Sequence, residues 1–132
     1  MVAFARYQVH SATVEARALH AAHASPVTMT RVYLSAAEHG DCALTGRLTT
    51  SHTFSWCAGP LTWVNSDPEL LSYRDVGKRA VVAEGVADRR EACVPTTIDQ
   101  RGMSGAEAGR ISWGWCWVQT PAGWRLWDQG QG

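Results

Sequence analysis

From Ile111 onward, bulky apolar residues alternate one for one with small or polar ones: Trp113, Trp115 and Trp117 interleave with Ser112, Gly114, Cys116 and Val118. After Thr120-Pro121-Ala122-Gly123 the alternation resumes as Trp124-Arg125-Leu126-Trp127-Asp128. Period two on both sides of a Pro-x-Gly segment predicts strand, tight turn, strand. Pro121-Ala122-Gly123 reads as a three-residue hairpin loop with Gly123 in the left-handed position. That register pairs Thr120 with Trp124, Val118 with Leu126 and Cys116 with Asp128 on one face, and leaves Trp113, Trp115, Trp117 and Trp127 on the other. Cys116, Val118 and Leu126 form the core-like set, so the tryptophans are expected on the convex side of the sheet. So large an apolar stripe needs a cover, either the N-terminal segment or a second copy of the chain in a homodimer.

The first half of the chain follows another period. Ser11 to His23 is Ala-rich, with Val14, Ala18 and Ala21 at helical spacing, and predicts a helix. Ser25-Pro26 is a helix start, Ser as N-cap and Pro where a missing N–H costs nothing. Met29, Val32, Tyr33, Ala36 and Ala37 are the apolar stripe of that helix, and Gly40 suits its C-terminal cap. Asp41 caps a short helix over Cys42 to Thr49, and Ser51 to Cys57 reads as a further helical turn before Gly59-Pro60. Beyond that point the pattern predicts strands at Leu70–Val76, Ala80–Val86 and Glu91–Asp99, a loop over Gln100–Gly109, and then the hairpin. Helices first and an antiparallel meander afterwards is an α+β pattern.

At 132 residues the chain has the length of one domain. Twelve basic residues balance twelve acidic ones, with no basic stripe, which argues against nucleic acid as a partner. Apolar stretches are interrupted too often for a membrane span. One charged residue lies within Met1 to Arg6 and no apolar run follows it, so no secretory signal is expected and the N-terminus as written suggests the cytoplasm.

The segments "VYLSAAEHGD", "LLSYRDVG" and "TPAGWRLWDQGQG" resemble the nuclear transport factor 2-like, or cystatin-like α+β, superfamily, and more narrowly small actinobacterial proteins of lipoprotein type. The resemblance covers residues 25–132 and leaves residues 1–24 as an N-terminal extension. It implies N-terminal helices packed in the concavity of a curved, mostly antiparallel sheet, a cone whose open end holds a pocket. Tyr73, Trp124 and Asp128 are then expected to line that pocket, with Trp56 contributed from the helices. Members include isomerases, dehydratases, cyclases and non-catalytic proteins, so the fold selects no single function.

The four cysteines allow three pairings. Cys42 and Cys57 bracket two short helices, and Cys93 and Cys116 sit on strands that a meander makes neighbours, so Cys42–Cys57 with Cys93–Cys116 is the natural pairing. Two disulfides imply an extracytoplasmic setting, against the N-terminus as written. The alternatives are free thiols or a zinc site, the latter without any C-x-x-C spacing to support it. His20 and His23 share a helix face but lack a third ligand, and no metal or cofactor is expected. Asp128, beside Tyr73, Trp124 and either Asp75 or Asp99, is the candidate for proton transfer if burial raises its pKa. Two functions follow. One is non-catalytic binding of a small apolar molecule or a partner protein. The other is a cofactor-independent isomerase, cyclase or hydrolase using Asp128, Tyr73 and Asp99.

Overall fold

The computed structural model describes residues 25–56, 68–79, 81–86, 89–101 and 109–131. Helix α1 (Pro26–Glu38) begins as its sequence dictates: the Ser25 hydroxyl accepts the Thr28 N–H at 3.2 Å, and Pro26 occupies the first turn. It stops at Gly40, whose φ of +69° suits a residue without a Cβ. Asp41 then caps α2 (Cys42–Leu48), its Oδ1 accepting the Leu44 N–H at 3.2 Å. The helix expected over Ser11–His23 lies outside the described residues.

No helical turn forms over Ser51–Trp56. The chain instead runs along the edge of the last strand, where Thr49 bridges Leu126 and the Thr50 N–H donates to the Leu126 carbonyl at 2.8 Å. An extended segment gains strand-edge hydrogen bonds there that a helix would forgo.

Strands β1 (Glu69–Arg74), β2 (Val82–Val86), β3 (Arg89–Arg101), β4 (Gly109–Thr120) and β5 (Gly123–Gln131) form one sheet. All the pairings are antiparallel, and with the two helices this is the expected α+β class. Strand β3 is the axis of the sheet. One of its edges pairs with β4 from Glu91 to Gln100, and the other carries β2 along Arg89–Cys93 and β1 along Thr97–Arg101, end to end. Between them Val94, Pro95 and Thr96 have no strand partner on that side among the described residues. The Gly77 N–H reaches into the break and donates to the Pro95 carbonyl at 2.9 Å. A residue's N and C=O point to the same edge of an antiparallel strand, so the N–H that Pro95 lacks would have faced this break. Proline is tolerated in this central strand because no ladder donor is needed there.

The hairpin corrects the expected turn. Thr120 pairs with Gly123, so the loop is two residues, Pro121 and Ala122. Its register runs Gln119–Trp124, Val118–Arg125 and Trp117–Leu126, and a bulge then restores Cys116–Asp128. Trp127 is the extra residue at the bulge, which bends the strand locally.

The faces are also reversed from expectation. Trp113, Trp115 and Trp117 are 7%, 0% and 0% exposed and lie on the face that α1 touches. Tyr33 packs its ring 5.4 Å from Trp115 and 5.9 Å from Trp117, and Trp56 sits 5.8 Å from Trp113 and 5.7 Å from Trp115. These three tryptophans are therefore the chain's own core and do not form a dimer interface. Ala92, Val94, Thr96, Ile98 and Gln100 of β3 share this buried face, whereas Cys93, Pro95, Thr97 and Asp99 are half-buried on the outer one. Leu126 joins the tryptophan side, while Cys116 and Val118 point the other way.

Buried indoles need acceptors. Trp115 Nε1–H donates to the Thr96 hydroxyl at 2.9 Å, which donates to the Trp113 carbonyl at 2.9 Å. Trp117 Nε1–H donates to Thr30 at 2.8 Å, and Thr30 donates to the Pro26 carbonyl at 2.8 Å. Trp56 and Trp113 both donate to Gln129 Oε1, at 2.5 and 3.2 Å.

Thr30→Val should cost about 1–3 kcal/mol, because the Trp117 indole would lose its acceptor in a dry interior. Trp115→Ser should cost at least the ~3–5 kcal/mol of a large core truncation. Urea denaturation measures both. A Trp115→Ser protein with unchanged stability would put this ring at a surface.

Candidate functional site: a break in the sheet edge

The residues expected to line an apolar pocket are dispersed. Trp56 is 1% exposed and held in the aromatic core, its backbone N–H donating to the Tyr33 hydroxyl at 2.8 Å. Trp124 is buried on the helix side, opposite Gln119. Tyr73 is half-buried on that same face, opposite Ile98. Asp128 is exposed on the outer face opposite Cys116, where its Oδ1 accepts the N–H of its own neighbour Gln129 at 2.9 Å. Asp99 is also on the outer face, in another row, between Ser72 and Arg110. Asp128 therefore does not share a pocket with Trp56, Tyr73 or Trp124, and the three proposed catalytic residues do not converge. The reason is strand alternation: changing the face of the tryptophans carries every alternate residue with it. Trp127, at the bulge, stacks on His52 with ring centres 3.7 Å apart, and His52 Nδ1 lies 2.9 Å from the Trp127 carbonyl.

What the structure does bring together lies at the break between β1 and β2. A cleft of about 290 Å³ is lined by Asp75, Lys78, Arg79, Pro95, Thr96 and Thr97. A smaller one of about 60 Å³ lies beside it, lined by Ser72, Arg74, Thr97, Ile98, Asp99 and Arg110. Thr97 is common to both. The turn that supplies Asp75, Lys78 and Arg79 is pinned from below by Gly77, whose φ is +71° and whose missing Cβ would sit 3.0 Å from Val27 of α1. A side chain there would have to displace the helix contact as well as adopt a left-handed backbone. Asp75 itself has a φ of +58°, a conformation that Asp tolerates better than most residues. Its carboxylate lies 3.1 Å from Lys78 Nζ and 3.8 Å from Arg74 Nε, both exposed ion pairs of small energetic weight.

Lys78, Arg79, Arg74 and Arg110 were not singled out by the sequence. The signal for Arg74, Lys78 and Arg79 was the string Arg74-Asp75-Val76-Gly77-Lys78-Arg79, in which charges flank a glycine at the end of a predicted strand. Loops carry binding groups when a rigid scaffold positions them.

On the same outer face Cys93 and Cys116 are directly paired across β3 and β4 and joined by a disulfide, with an S–S distance of 2.07 Å and Cα atoms 3.9 Å apart. Glu91 Oε1 lies 3.5 Å from Cys93 Sγ. Glu91, Cys93 and Cys116 offer donor atoms within 4.8 Å of one another, but both sulfurs are committed to the disulfide. Cys57, and with it the expected Cys42–Cys57 bridge, lies outside the described residues, as do His20 and His23.

Among the described residues no helix is long and apolar enough to cross a membrane. No protein-family model, curated protein or solved structure matches the chain.

Burial pushes the Tyr73 hydroxyl above its ordinary 10.0, Glu38 adds to the shift, and Arg31 opposes it. A raised folded-state value means that the stabilisation is complete below the unfolded pKa and is lost as pH climbs through the folded one. Unfolding free energy should therefore decline above about pH 10 and decline less steeply in Tyr73→Phe. Equal slopes in the two proteins would show that Tyr73 does not titrate with folding. Removal of the Cys93–Cys116 bridge by paired Ser substitution should cost about 2–4 kcal/mol. Chemical denaturation under non-reducing conditions checks this.

Proposed function

We propose that this chain is a non-catalytic binding domain whose ligand surface is the outer face of the sheet around the break between β1 and β2. The observation that carries this reading is the placement of the preformed clefts, which open between charged side chains on strand ends and a pinned turn. The convergence of several charged and polar side chains on one concave surface supports a small polar ligand there. The enzyme reading loses support because Tyr73 lies on the helix face while Asp99 and Asp128 occupy separate rows of the other. An apolar ligand in the interior loses support because Trp56 and Trp124, its expected walls, are core side chains.

The nuclear transport factor 2-like assignment, and with it a cone-shaped sheet, belongs to the same proposal. Two helices followed by an antiparallel meander support it, as does the seating of Tyr33 against the tryptophans of β4. An oxidising, extracytoplasmic setting is likewise proposed, supported by the Cys93–Cys116 bridge.

A thermal-shift screen of small molecules, followed by amide chemical-shift mapping, tests the binding surface. Ligands that raise the melting temperature should move the amides of Ser72, Arg74, Thr97 and Arg110 and should be recovered chemically unchanged. Shifts centred on Trp56 and Trp124, or conversion of the ligand, would replace this reading with an interior site or an enzyme.

A further inference from the structure

The two clefts are not electrically neutral, although the chain as a whole is. Lys78, Arg79, Arg74 and Arg110 line them against Asp75 and Asp99. Within the larger cleft the cations differ in their commitments. Lys78 is engaged with Asp75 at 3.1 Å. Arg79 is exposed and paired with no carboxylate of the described residues. A guanidinium presents a planar fork that matches the two oxygens of a carboxylate or phosphate. Arg79 sits two residues after Gly77, which is anchored to Pro95 by its N–H and packed against Val27, so the turn that carries the fork is held by both the sheet and α1. Arg79 and Pro95 both line the cleft at the break in the sheet edge, and Pro95 brings no N–H to it.

We infer that the cleft bounded by Lys78, Arg79, Pro95 and Thr97 is an oxyanion site, built to take the carboxylate or phosphate group of a small ligand on the Arg79 guanidinium, with Lys78 as the second cation. This deepens the binding-domain reading and rests on it. Asp75 acts against affinity in this arrangement, since it draws on Lys78 and repels a second anion.

Titration of the oxidised, full-length chain with succinate and, separately, with inorganic phosphate at low ionic strength tests the inference. Calorimetry gives the affinity and amide shifts give the place. One saturable site should appear, moving Lys78, Arg79 and Thr97. Arg79→Ala should weaken it at least ~10-fold, the loss of one charge-assisted hydrogen-bonded pair, and Arg79→Lys should restore only part of the affinity. Asp75→Asn keeps a side chain that tolerates the left-handed backbone and should bind the same anion more tightly. Opposite responses at neighbouring positions are not produced by a general loss of structure. Saturation by phosphate alone identifies a phosphorylated ligand, and saturation by succinate alone an organic acid. Failure of both anions to saturate, or an Arg79→Ala protein that binds them unchanged, overturns the oxyanion site. If screened ligands still map to the outer face in that case, the binding-domain reading survives, whereas shifts elsewhere remove both.

Discussion

Four of the buried indoles crowd one small interior, where each N–H needs an acceptor, and this requirement organises the molecule. Trp56, Trp113, Trp115 and Trp117 are all satisfied by three side chains, Thr30, Thr96 and Gln129. Each comes from a different element: α1, β3 and β5. Thr30 and Thr96 pass the hydrogen bond on to a backbone carbonyl, so the core is polar along narrow lines and apolar elsewhere. Gln129 also ties the segment after α2 to the sheet, its Nε2 donating to Thr53 at 3.1 Å and to the Phe54 carbonyl at 2.6 Å. The tryptophans therefore supply cohesion, and their acceptors determine which helix, strand and edge segment must meet.

With the aromatic mass directed inward, the outer face is left with short, charged and small side chains. Where Pro95 faces Gly114 and Gly114 faces Gly130, three adjacent strands present almost no side chain at all. The clefts, the disulfide and the cationic turn all lie on this face or at its edge. The aromatic core and the clefted, charged surface thus lie on opposite sides of one sheet, and the long strand β3 contributes to both.

Much of this was legible in the chain. Ser25-Pro26, Gly40 and Asp41 marked helix ends through local chemistry that tertiary context did not override. The hairpin and the Cys93–Cys116 neighbourhood followed from period two and the order of strands. The facing of the tryptophans did not, because alternation defines two faces without saying which is inward; Cys116 with Val118 read as core-like as well as Trp115 with Trp117. The turn length was also ambiguous. A two-residue loop with a bulge at Trp127 and a three-residue loop without one give the same Cys116–Asp128 pair and differ only nearer the turn. The cationic cleft escaped for a different reason. Lys78 and Arg79 lie in a turn with no periodicity, and their significance comes from a gap in a strand pairing that no local pattern records.

That gap has a dynamic meaning. Strand β3 holds β1 and β2 as separate partners on one edge, with the Gly77–Pro95 hydrogen bond tying the turn between them to β3. Either short strand can fray without unzipping the other, so this edge is divided into two opening units while the β3–β4 edge stays continuous from Glu91 to Gln100. Amide protons along β1 and β2 should thus exchange as two families with their own rates.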